Sequence, residues 1–141
     1  MPELDDATVA YILETRPCFE DLRQVASQLA GLLVLEAAGA KSELPRHPML
    51  AAAEELYGGA AGQVRRARVT ARTERHHHHL MQATEEIGSA LRAARLSVAI
   101  DPMLVPLRRA YAQLQGAARE LPGFEMVEFQ QGCCGARRRD E

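Results

Sequence analysis

Apolar side chains recur every third or fourth residue along almost the whole chain, the period of helices that each bury one stripe. From Cys18 the stripe runs through Leu22, Val25, Leu29 and Leu32, and Gly39 closes it. A second line opens at Pro48 with Leu50, Ala53 and Tyr57 and continues through Val64 to Ala67 and Ala71. A third carries Leu80, Thr84, Ile87, Leu91, Ala94 and Val98. Asp101-Pro102 is a stop-and-restart signal, an N-cap residue before a proline in the first turn. Leu104, Leu107, Tyr111, Leu114, Ala118 and Leu121 follow it, and Pro122-Gly123 ends the line. Ahead of these, Asp5 or Asp6 caps a short helix to about Arg16, with Val9, Ile12 and Leu13 on one side. Pro17 separates it from the rest, because proline fits only a helix's first turn.

The boundary between the second and third lines has two candidates. One is Gly58-Gly59 with Gly62, where closely spaced glycines weaken a helix. The other is a hairpin around Arg72 to Arg75. The hairpin is favoured, because the phase slips between Ala71 and Leu80 and because it yields helices of similar length. The predicted fold is all-α: an up-down-up-down four-helix bundle with a short extra N-terminal helix. Residues 1–123 form the bundle domain, and 124–141 a C-terminal tail with an apolar segment and a Cys/Arg-rich end.

Composition fits one domain of 141 residues, and the 24 alanines with no Trp predict helices packed closely through small side chains. The formal charge of −2 argues against a nucleic-acid binder. The acidic start Met1-Pro2-Glu3-Leu4-Asp5-Asp6 does not resemble a secretory leader, and the apolar run Leu29 to Ala40 is too short to span a bilayer. Three cysteines without an export signal read as reduced thiols of a cytoplasmic protein.

Candidate chemistry is concentrated at His76-His77-His78-His79. In an up-down bundle the start of the third helix lies beside the start of the first long helix and the end of the fourth. That topology brings Cys18, His76, His77, His79 and the tail residues Cys133 and Cys134 toward one end, while His47 falls at the other. Imidazole and thiolate donors fit zinc or copper, and His76 and His79 are three apart on a helix. Glu74 and His77 have Glu-x-x-His spacing, but a di-iron bundle needs two such pairs. The competing reading makes His77 a core histidine satisfied by a backbone carbonyl and leaves the others solvated.

Vicinal Cys133-Cys134, near Arg137 to Arg139, reads as a soft-metal or thiol-redox pair. Phe124, Met126, Val127 and Phe129 just upstream fold back over the bundle's end or onto a protein partner. Arg65, Arg68, Arg72 and Arg75 form an anion- or partner-binding stripe at helical spacing, unless they are a solvated face. No Ser/His/Asp set or Gly-rich phosphate loop is apparent, so catalysis is not the expected role. The leading expectation is a non-catalytic bundle binding a transition metal or metal cofactor at its His/Cys end. The alternatives are a metal-free homodimeric interaction module and a thiol-redox sensor.

Overall fold

The computed structural model describes residues 3–39, 44–96 and 100–126. Its four helices are α1 (Asp6–Ala37), α2 (Pro48–Arg66), α3 (Glu74–Leu96) and α4 (Asp101–Glu120), with a 3₁₀ turn at Leu44–Arg46. The architecture is an all-α four-helix bundle. Helix α1 packs chiefly on α2 and α3 chiefly on α4, and the two pairs meet through α1–α4, α2–α3 and α1–α3 contacts.

The separate N-terminal helix is not present, because α1 runs unbroken for 32 residues with Pro17 inside it. Proline removes one backbone hydrogen bond and presses on the carbonyl four residues back, here that of Leu13. Both Leu13 and Pro17 are exposed, so that carbonyl sits on the solvated side of the helix. On the opposite side Tyr11, Thr15, Cys18 and Leu22 are buried in one continuous helical phase. Burial of four side chains at roughly 1.5–3 kcal/mol for each large apolar one exceeds the ~3 kcal/mol cost of the proline. Asp5 caps the start, its carboxylate accepting from the Thr8 amide at 2.8 Å, and this bond holds its pKa below the ordinary value. The helix stops where Gly39 takes a positive φ of 87°.

Helix α2 begins at Pro48, as its sequence predicts, with His47 as N-cap accepting from the Met49 amide. Gly58, Gly59 and Gly62 lie inside it, so the glycine break is excluded. The reversal occurs at residues 67–73, slightly ahead of the predicted Arg72–Arg75 hairpin, and Ala67 and Ala71 leave the helical line. A threonine pair builds the turn. The Thr70 amide donates to Thr73 Oγ1 at 2.9 Å, and the Thr73 amide donates to the Thr70 carbonyl at 3.0 Å. The Thr73 carbonyl then accepts the His77 amide, starting α3.

Helix α3 buries Leu80, Thr84, Ile87, Leu91 and Ala94, the line its sequence gives, while Val98 lies outside the described residues. Helix α4 starts at Asp101 itself, with Ile100 as an N-cap lacking a side-chain bond. Its buried stripe is Met103, Pro106, Leu107, Ala110, Leu114 and Ala117, so Leu104, Tyr111 and Ala118 are only partly buried. After Gly123, with a positive φ of 96°, the chain doubles back. Phe124 is buried against Phe19, ring centroids 5.3 Å apart, and the Arg23 guanidinium donates to the Glu125 carbonyl. Met126 also packs on the core, whereas Val127 and Phe129 lie outside the described residues. No described helix is long and apolar enough to cross a membrane.

Candidate functional site

The four histidines occupy the first turn and a half of α3, and successive residues there are rotated by 100°. They therefore point in different directions, and their rings meet different partners. His76, not His77, faces the core, 1% exposed. Its Nδ1 shares a buried 2.8 Å hydrogen bond with the Tyr11 hydroxyl of α1. Its ring lies 4.1 Å from that of Phe124, and its buried Nε2 has no partner. Burial, then the neighbouring His79 and His77, push its pKa down from 6.5 to about 4, so the ring is neutral at physiological pH. Burial likewise pushes the Tyr11 phenol well above its ordinary range.

His77 is half-buried, and its Nε2–H donates to the Val64 carbonyl at 2.9 Å, satisfying one of the last carbonyls of α2. His78 is exposed. His79 is partly buried against α4, where its Nδ1–H donates to Gln113 Oε1 at 2.7 Å. That ring fits because residue 116 is glycine. A Cβ there would lie 2.7 Å from His79 Cε1 and 3.0 Å from Nε2. Gln113 fixes the tautomer, leaving the Nε2 lone pair of His79 available.

His78 and His79, with Glu74, Arg75 and Glu120, line one open recess between the start of α3 and the end of α4, of about 430 Å³. The two imidazole centroids are 6.1 Å apart. Among the described residues neither Glu74 nor Glu120 is held by a hydrogen bond or ion pair.

The ligand set expected from sequence is thus divided. His76 and His77 serve the fold, one through Tyr11 and one through Val64. Cys18 does not open a helix at the bundle's end. It is buried in the middle of α1, its thiol donates to the Glu14 carbonyl at 3.8 Å, and burial raises its pKa. The expectation failed because it rested on a break at Pro17. Cys133 and Cys134 lie outside the described residues. Among the described residues, no three His, Cys, Asp or Glu side chains are grouped to hold a metal ion as they stand.

The arginines do not form a stripe on one helix. Arg65 is in the last turn of α2, Arg68 and Arg72 are in the hairpin, and Arg75 is in the first turn of α3. Arg68, with Arg66, Glu14 and Thr70, lines a smaller cavity of about 220 Å³ beside α1. Arg72 instead reaches the Glu3 carbonyl at 3.5 Å.

Comparison with protein-family models, curated proteins and solved structures finds no match. The residues sequence reading missed are Tyr11, Gln113 and Gly116. A glycine inside a helix otherwise rich in alanine was the one visible signal, since it costs about 1 kcal/mol relative to alanine.

Proposed function

We propose that this protein is a non-catalytic helical bundle that binds a transition metal, zinc being the best fit, in the recess between the start of α3 and the end of α4. His79 Nε2 is the anchoring donor. His78, Glu74 and Glu120 complete the set, in place of Cys18, His76 and His77, which the expected topology had brought to this end. The observation that carries this reading is the seating of His79: Gln113 holds Nδ1 at 2.7 Å, and Gly116 leaves the ring its space. An imidazole whose second nitrogen is fixed by an amide or carboxylate oxygen is oriented as metal-bound histidines are.

Two imidazoles on one tetrahedral zinc have centroids roughly 5 Å apart. His78 and His79 stand at 6.1 Å, about an ångström wider. The set must rearrange to bind, because no three of these groups are gathered around one point as they stand among the described residues. Glu74 is one helical turn before His78 on the same face, and Glu120 approaches from α4. Their two carboxylates offset two of the three positive charges of Arg75 and the incoming dication. Side chains without internal partners pay little to rearrange around a metal.

The test is zinc stoichiometry and affinity, by calorimetry and elemental analysis, on protein purified without a metal column. One zinc per chain is expected. His79→Ala should abolish it, and Gln113→Leu should weaken it 10–100-fold. Binding unchanged in both His79→Ala and Glu120→Gln would remove the recess as the site.

A further inference from the structure

We infer that the seam between α2 and α3 is a binding site for an amphipathic carboxylate, an apolar chain with one anionic head. The metal recess is elsewhere, and neither proposal depends on the other. Helices α2 and α3 meet sparingly, and between them lies a groove of about 500 Å³. That volume is within the range of small-molecule sites.

Two contacts bound the groove along its length. At one, Arg95 of α3 forms a two-pronged ion pair with Glu54 of α2 and also donates to the Pro45 carbonyl. At the other, the Tyr57 hydroxyl donates to the Thr84 carbonyl at 2.9 Å. Tyr57 lies over Gly88, where a Cβ would stand 2.6 Å from that hydroxyl. A side chain at position 88 would therefore displace the tyrosine that walls the groove. Between these contacts the floor is the edge of Leu91, 5% exposed, with Leu96 beyond it at 83% exposure. Leu96 is the most exposed of the large apolar side chains among the described residues, an arrangement that favours an apolar guest.

Charge selects the head group. Arg95 is matched by Glu54, but Arg92, one turn earlier on the rim, is not. Among the described residues its side chain bonds only to Ser89 Oγ, at 3.2 Å, and no carboxylate pairs with it. A guanidinium with free donors at the edge of an apolar trough offers a carboxylate a two-pronged contact. Its guest would lay a hydrocarbon chain over Leu91 and Leu96 and set its acid on Arg92.

The probe is decanoate, titrated below its micellar concentration against the full chain by calorimetry, with decanol and decyltrimethylammonium in parallel. Both Arg92→Glu and Leu96→Ser alter exposed side chains, so the variants retain the fold. Saturable one-to-one binding of decanoate is expected, with decanol and Arg92→Glu each at least tenfold weaker and Leu96→Ser several-fold weaker. Equal affinity for decanol and decanoate, or an unaffected Arg92→Glu variant, would overturn the proposal. So would absence of binding, or a wild-type dimer that either substitution dissociates, which would make a second copy the occupant.

Discussion

Tyr11 and His76, 65 residues apart in the chain, meet through one buried hydrogen bond of 2.8 Å that ties α1 to the start of α3. The imidazole is enclosed by that phenol and by Phe124, with no carboxylate bonded to it, so its charged form has nothing to offset desolvation. Folded chain keeps the ring neutral down to about pH 4, whereas an unfolded chain protonates it near 6.5. As pH falls through that window the unfolded state takes up a proton that the folded state refuses, and stability drops. The full effect is ~3 kcal/mol, present above pH 6.5 and lost by pH 4. Urea unfolding between pH 7.5 and 5, where most carboxylates stay ionised, should show this slope in the wild type. His76→Phe should flatten it.

Pro17 interrupts the hydrogen bonding of an otherwise continuous helix at an exposed position. Pro17→Ala restores the missing amide without touching the core and should stabilise the protein by about 1–3 kcal/mol, the proline penalty less the entropy regained by the unfolded chain. Thermal unfolding measures it. Were two helices joined at this point, the substitution would bring no such gain.

Two glycines in helices should respond differently to alanine. Nothing lies within 4 Å of a Cβ at Gly58, so Gly58→Ala should add about 1 kcal/mol from helix propensity alone. At Gly116 the new methyl meets the His79 ring at 2.7 Å, and the ring must swing out, breaking its bond to Gln113. Gly116→Ala should forfeit that gain, shift the His79 imidazole resonances and lower zinc affinity at least tenfold. Unchanged His79 resonances would refute the seating argument.

Phe124 is 3% exposed and covers both Phe19 and His76. Phe124→Ala should cost about 3–5 kcal/mol, as truncating a buried aromatic does. It should also admit water to His76 Nε2 and raise the histidine's pKa toward 6.5. An NMR titration of the His76 ring distinguishes this from general loosening, in which all four histidines would shift together.

The four-helix pattern was legible because long stripes of period 3.6 dominate the chain, and Gly39 marked an end that the backbone confirms. Pro17 misled because the proline rule is local. Carrying the phase from Tyr11 through Thr15 to Cys18 would have joined the two segments. The histidines were harder. A shift of one residue at the start of a helix turns each ring by 100°, so His76 and His77 exchange roles within the uncertainty of any boundary. Partners such as Tyr11 and Gln113 carry no local signal at all, being 65 and 34 residues away.

The two strongest helix pairs are neighbours in the chain, and distant residues close the joint between them. Helices α1 and α2, and α3 and α4, form the two most extensive packing pairs. Tyr11 with His76, and Arg23 with Glu125, join positions 65 and 102 residues apart. Those two bonds close the joint between the pairs. Distant contacts cost more loop entropy to close than neighbouring ones, so hydrogen exchange is expected to enter at that joint ahead of the interior of either helix pair.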